Sequence, residues 1–374
     1  LSPLLGWDIV GREGRTAAHG EGGGATMKAA MLYGREDLRI EDIPEPTVGP
    51  GQVKLRNGYV GICGGDVHNY FNPEASPVDL FTPHPVTGAR LPQPLGHEFS
   101  GTVVEVGPGV DGVEVGDHGA VYPTTYSCGT CVACRHGRPT TCRRMASLGA
   151  NANGGGMAEF VTVEASQFHR VPDNVDLRRA ALVEPMSVAW HGAARSRAGS
   201  GDVVLVAGAG PIGIGAWYAF RARGVRRILV SEPNAQRRDR IAALGAEVID
   251  PTTQDLADAD ISGGDGADVF YDAAGAGAAL AAGLDNLAPG GRAVLQSGHE
   301  EPFTIHPSQI MMGEYELIGS LGYRPEEFDG VIARMAAGEY DTTGWVEEMP
   351  LDDAVDAIHK LRDGAGTKIT LRVG

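Results

Sequence analysis

Lysine is almost missing from this chain: only Lys28, Lys54, Lys360 and Lys368 occur among 31 basic residues in 374. With alanine and glycine abundant, that bias reflects codon composition rather than function. Positive charge is short as well, since 48 acidic residues leave a formal net charge of −17. Nucleic acids and anionic membrane surfaces are polyanions, so this balance argues against both as partners. Cysteine is scarce, five in all, and no apolar stretch of signal-peptide length opens the chain. A long acidic chain with so few thiols reads as cytoplasmic, where cysteines stay reduced, which disfavours a disulfide framework. Long apolar runs are missing too. The longest uncharged one, Val203 to Phe220, has about the length of a membrane span but carries four glycines and a proline. No repeat period is evident.

What is present points to a soluble globular protein. The hydrophobic fraction of 42% and charged fraction of 21% are ordinary for that class, and the length implies two domains. Residues 1–26, scattered in charge and ending Gly-rich, read as a disordered leader or as sequence upstream of the natural start. From Met27 to about residue 180, short apolar segments such as "MKAAMLY" and "GTVVEVG" alternate with Gly/Pro/Asp turns, the signature of β-structure. From about residue 188 the pattern becomes strand, helix, strand: "DVVLVAGAG", "PIGIGAWYAFRARG", "RRILVSE", "NAQRRDRIAALGA". That alternation predicts βαβ units and a parallel sheet, hence an α/β fold. The last fifty residues return to mixed helix and strand.

Four of the five cysteines stand together as C-x2-C-x2-C-x7-C: Cys128, Cys131, Cys134 and Cys142. Short turns can close four thiolates into a tetrahedron around zinc, a closed structural site. An iron–sulfur cluster is disfavoured, because the bacterial ferredoxin run has a gap of three and then proline, whereas here the gap is seven and Arg143 follows.

Gly208-Ala209-Gly210-Pro211-Ile212-Gly213 fits G-x-G-x-x-G, after a buried strand and at the start of a helix. Its glycines permit a tight turn, close approach of a pyrophosphate, and close helix–strand packing. Alone such a motif is weak, but Glu232 ends the next strand where it could bind the ribose hydroxyls of NAD. Glu232 should also repel the extra phosphate of NADP, while Arg237 and Arg238 could soften that preference. The same assignment turns the run Val203–Phe220 into a strand and a helix rather than a membrane span.

The fifth cysteine, Cys63, lies in "GICGGDVH", and His97 and Glu98 lie in "PLGHEFSG". One thiolate and one imidazole from separate segments give a metal mixed ligands and open positions, the layout of a catalytic site. Taken singly, a lone cysteine is usually a small buried hydrophobe. The four-cysteine lobe and the dinucleotide motif are what raise the reading above that.

With these motifs in place the chain, from Met27 onward, resembles the medium-chain, zinc-dependent alcohol dehydrogenases. Gly96-His97-Glu98, Gly101, Gly107 and Val110 match that family's signature G-H-E-x2-G-x5-G-x2-V at every fixed position. The resemblance implies a GroES-like, β-rich catalytic domain at 27–187 with a structural-zinc lobe at about 123–145. It implies a Rossmann domain at 188–322 and a return to the catalytic domain at 323–374. It also implies two zinc ions per chain, with Cys63 and His97 as catalytic-zinc ligands and Asp66 orienting the histidine. Glu184, in "VEPMSVAWHG", stands where classical members have a second cysteine, as in the sorbitol, butanediol and threonine dehydrogenase branch. Glu98 and Glu184 are therefore both candidate ligands, with a purely orienting role the alternative for Glu98. "HPVTGARLPQPLGHEFSG" and "YELIGSLGY" look most like the butanediol dehydrogenases of that branch. The chain departs from the family at Gly65, where relatives carry the Ser or Thr of a proton relay; His68 matches the relay's outer end. The expectation is an NAD-linked oxidoreductase of a secondary alcohol or vicinal diol, forming a dimer or tetramer. Alternatives are a cyclitol, aminocyclitol or sugar alcohol as substrate, or a non-catalytic scaffold. A zinc-free reductase of the superfamily is disfavoured by Cys63 and His97.

Overall fold

The computed structural model describes residues 24–259 and 261–374. Most of the expected leader lies outside those residues; at its end, Thr26 already opens the first strand, Thr26–Gly34. That strand pairs antiparallel with Asp37–Pro44 and with Gln93–Pro94. Gln52–Gly61 is central to a second, seven-stranded sheet, between Glu98–Val106 on one side and Lys368–Arg372 on the other. Phe160–Glu164 also pairs with it. The register sets Gly61 opposite both Glu98 and Thr370. Two segments far apart in sequence therefore meet at one end of the central strand. Val53, Leu55, Val60, Phe99, Val103, Ile369 and Leu371 bury one face of this sheet in a single core.

The alternating text after residue 188 forms a six-stranded parallel sheet. In spatial order its strands are Glu247–Ile249, Arg227–Ser231, Val203–Ala207, Ala267–Asp272, Leu287–Leu295 and Glu316–Gly319. Numbered by sequence within the sheet, that is 3-2-1-4-5-6, the doubly wound Rossmann order. Val203–Ala207 is apolar throughout because both faces are covered. Val204 and Val206 pack toward helices Val183–Arg195 and Pro211–Ala222, while Leu205 and Ala207 pack toward helix Gly277–Asp285. The run Val203–Phe220 is thus a strand and a helix, as the glycine motif implies. No described helix is long and apolar enough to cross a membrane.

Helix Val183–Arg195 straddles residue 188, where the pattern in the sequence changes, and helix Pro325–Ala336 packs against it. After that helix the chain leaves the parallel sheet. Its strands Val346–Pro350 and Lys368–Arg372 pair in parallel with each other, and the second joins Gln52–Gly61 antiparallel to complete the seven-stranded sheet.

Candidate active site

Cys63 is the N-cap of helix Gly64–Phe71, where the helix dipole favours an anionic sulfur. Burial nevertheless holds its thiol above the usual range, with His97 pulling the other way. His97 and Glu98 lie where strand Glu98–Val106 begins, opposite the end of Gln52–Gly61. One ligand atom each from Cys63, His97 and Glu98 lies within 4.8 Å of the other two. Asp66 is 1% exposed; one of its oxygens accepts the Cys63 N–H at 2.9 Å. The other faces His97 Nδ1 at 3.7 Å and has no hydrogen-bond partner among the described residues. Burial opposes a charged His97 ring, but Asp66 and Cys63 together raise its pKa well above the ordinary value. The cluster concentrates negative charge around soft and borderline donors, which a divalent cation such as zinc neutralises.

Glu184 sits in the first turn of helix Val183–Arg195 and is not in that triangle of ligand atoms. Burial raises its carboxyl to about 7, with the charge of His97 pulling it down and that of Glu98 pushing it up. Next to Gly65 there is open space: an added Cβ would meet only Cys63 Sγ, at 3.8 Å. His68 hydrogen-bonds the Ala75 carbonyl through Nε2 at 3.2 Å and presents Nδ1 to Glu300 at 3.8 Å.

Three neighbours of this site were not evident in the sequence. Lys368, 1% exposed, donates to the Ile62 carbonyl at 2.8 Å and pairs with Glu98. Its rarity as one of four lysines was the available signal. Tyr323 is buried with its hydroxyl facing Glu184, and burial raises that hydroxyl well above the usual range. Glu300 follows the fifth strand of the parallel sheet and lies near both His68 and Arg362. Glu300 and Tyr323 lie beyond the carboxyl ends of parallel strands, so the Cys63–His97 group abuts the crevice where α/β sheets bind ligands.

The glycine motif opens that crevice. Gly208 has φ +95°, and a Cβ on Gly213 would stand 1.9 Å from the Gly208 carbonyl oxygen. Beside Gly210 nothing lies within 4 Å of where a Cβ would stand, so a diphosphate can approach the backbone. Pro211 starts helix Pro211–Ala222, and Ile212 packs into the core beneath. Glu232 is buried; its oxygens accept from Ala209 N–H at 2.7 Å and Asn234 N–H at 2.8 Å, which ties the glycine turn to the second strand. A carboxylate has further lone pairs for ribose hydroxyls. Arg238 donates to the Glu232 carbonyl at 2.8 Å and pairs with Asp250 at 2.7 Å, and Arg237 reaches the Gly366 carbonyl at 3.3 Å.

In the lobe, Cys131 and Cys134 sulfurs are 3.5 Å apart and those of Cys128 and Cys134 3.9 Å. Sulfurs about 2.3 Å from a common tetrahedral centre stand about 3.8 Å apart, so the cluster fits zinc. Backbone N–H groups of Cys128, Cys131, Cys134 and Arg144 point at these sulfurs. Led by those from Thr130, such hydrogen bonds lower the Cys128 thiol to about 5.

Fold, metal-ligand cluster and glycine turn together define a zinc-binding, nucleotide-linked dehydrogenase. Family models agree: residues 49–173 match the alcohol dehydrogenase GroES-like domain and 211–337 the zinc-binding dehydrogenase domain. The chain belongs to this medium-chain, zinc-dependent alcohol dehydrogenase family. It is 36% identical over 334 residues to (R,R)-butanediol dehydrogenase of Bacillus subtilis, covering 88% of this chain and 94% of that one. It is 34% identical to 2-dehydro-3-deoxy-L-galactonate 5-dehydrogenase of Pseudoalteromonas atlantica, covering 87% and 93% of the two chains. The crystal structure of 2R,3R-butanediol dehydrogenase from Bacillus subtilis superposes with a TM-score of 0.85 at 33% identity, covering 93% of this chain and all of that one.

Proposed function

We propose that this enzyme oxidises a secondary hydroxyl of a vicinal diol, reversibly, with NAD as hydride acceptor. The observation that carries this reading is the position of Cys63, His97 and Glu98 against the carboxyl-end crevice of a Rossmann sheet. Similarity to dehydrogenases of butanediol and of a sugar acid supports the substrate class. Cys63, His97 and either Glu98 or Glu184 would hold the catalytic zinc, and the four-cysteine lobe a second, structural one. Catalytic zinc supplies a Lewis acid that lowers the pKa of the substrate hydroxyl.

The chain's own residues do the rest. Asp66, facing Nδ1 of His97, would orient that ring and leave its other nitrogen for the metal. Lys368 gives buried Glu98 a counter-charge. Gly208, Gly210 and the start of helix Pro211–Ala222 receive the diphosphate, and Glu232 the adenosine ribose, which favours NAD over NADP. The space beside Gly65 takes a water that passes the substrate's proton toward His68 or Glu184, in place of the missing hydroxyl. That same space favours a second reading, a bulkier cyclitol, aminocyclitol or sugar alcohol. The free edge strand Glu316–Gly319, with Leu317, Met311 and Met312 exposed, supports a homo-oligomer. Five free thiols suit the cytoplasm.

The test follows nicotinamide absorbance over a panel of diols, polyols and cyclitols, with NAD and NADP side by side. Turnover of vicinal diols with NAD supports the reading. Zinc-loaded protein inactive on every alcohol would instead favour a scaffold.

A further inference from the structure

A cavity of about 490 Å³ lies between the four-cysteine lobe and the far side of Tyr323. Three arginines line it from three separate elements: Arg138 from the lobe, Arg195 from the end of helix Val183–Arg195, and Arg324 from the N-cap of helix Pro325–Ala336. None of the three forms an ion pair among the described residues, although the chain carries 48 acidic side chains. Arg195 Nε and Ser320 Oγ, on the same walls, are buried without a hydrogen-bond partner among the described residues.

The ready explanation is that these cations balance the lobe's thiolates. Arg144 does that: Cys128 raises its pKa through a hydrogen bond and its charge. Arg195 and Arg324, however, come from the opposite side of the cavity and belong to no part of the lobe. Of the two carboxylates nearest Arg324 in sequence, Glu327 is already held by His191 Nδ1 at 2.8 Å and by the Arg324 N–H at 2.8 Å, and the exposed Glu326 forms no ion pair among the described residues. Like charges repel, so three arginines lining one space with no carboxylate among its walls favour an anion that joins them.

We propose that this cavity binds an oxyanion of phosphate size. Guanidinium forks match the oxygens of phosphate or carboxylate, and the Thr141 and Ser320 hydroxyls on the walls supply further donors. Tyr323 forms a wall of the cavity, and its hydroxyl faces Glu184. The oxyanion is therefore either the charged end of a polyol substrate or a free ion held behind the site. The first source rests on the dehydrogenase function proposed above; the second does not.

Two exposed positions allow the test without disturbing the core: Arg138→Ala and Arg324→Gln, with Arg226→Ala as a remote control. At constant ionic strength, inorganic phosphate should raise the thermal midpoint of the zinc-loaded enzyme. Each cavity variant should weaken phosphate binding about tenfold or more, and the control should not. In parallel, KM is compared for a tetritol and for the same tetritol carrying a terminal phosphate. A lower KM for the phosphorylated form, with the ratio collapsing in both variants, identifies a substrate's charged end. A phosphate response that the variants abolish, with no preference between the two tetritols, identifies a free ion. If phosphate leaves the midpoint unchanged, or acts equally on wild type and both variants, the proposal is overturned. Absence of turnover on either tetritol, where simple vicinal diols turn over, rules out the substrate source, and absence of turnover on every diol of the panel refutes the dehydrogenase reading; neither touches the phosphate result.

Discussion

Replacing Lys368 with methionine tests the least visible contact of the site. The side chain keeps its length and apolar stem but loses the charge that pairs with Glu98, at 1% and 2% side-chain exposure for the two partners. Removing one member of a buried pair typically costs about 3–5 kcal/mol, because the remaining charge has neither water nor partner. The Ile62 carbonyl loses its 2.8 Å donor from the same ammonium, which adds about 1 kcal/mol. Against a total stability of about 5–15 kcal/mol, a loss of about 4 kcal/mol is large. Chemical denaturation of the chelator-treated protein reads it as a lower midpoint. In the zinc-loaded protein the loss should be smaller, since the cation offers Glu98 a second counter-charge. Lys368→Met combined with Glu98→Gln should recover much of the stability, because no bare charge is left buried. Strictly additive losses in the double variant, or a single-variant loss under about 1 kcal/mol, would refute the pairing and its role at the site.

Metal removal should proceed in two stages: a chelator strips the Cys63–His97 site first, abolishing activity while the fold survives, and Cys131→Ser destabilises or aggregates the protein. Metal analysis of fresh, active enzyme should find two zinc ions per chain; one would contradict this. Gly213→Ala should weaken NAD binding more than tenfold, because its Cβ would meet the Gly208 carbonyl oxygen at 1.9 Å. Helix propensity alone predicts a stability gain of about 1 kcal/mol and no loss of affinity, so thermal unfolding read beside fluorescence titration with NAD decides whether the clash wins. Gly65→Thr should keep or raise turnover on small diols if a hydroxyl restores the proton path, or mainly raise KM for the true substrate if it fills a pocket. An unchanged pH–rate profile in His68→Ala would move the relay to Glu184.

The parts of this architecture that were legible in the sequence are those whose partners lie close along the chain. The four cysteines span fifteen residues, and backbone turns bring their sulfurs together almost automatically. The glycine turn and Glu232 belong to one βαβ unit, so spacing alone placed them. Cys63, His97 and Glu98 needed the family signature to be joined, because antiparallel register, not sequence proximity, brings them together. Lys368 and Glu300 carry no local pattern at all, and Tyr323 closes the "YELIGSLGY" stretch without any sign there that it meets the site. Each reaches the site only after a crossover of the fold, and hydrophobic periodicity says nothing about which loop will arrive there. Glu184 shows another limit: similarity made it a ligand candidate, but no local pattern announced that its carboxyl would be buried within reach of the charges of His97 and Glu98.

The contact between Glu98 and Lys368 also sets an order of events during synthesis, since 270 residues separate the two. At about 5–20 residues per second, the ribosome takes roughly 14–54 s to make the lysine after the glutamate. All six strands of the parallel sheet, from Val203 to Gly319, are made in that interval. Strand Lys368–Arg372 is still missing from beside Gln52–Gly61 during this time. The nucleotide half of the enzyme can thus be finished while the older, metal-holding half waits with an open sheet edge and an unneutralised carboxylate. A nascent chain stalled before Lys368 should bind NAD before it can settle its antiparallel core.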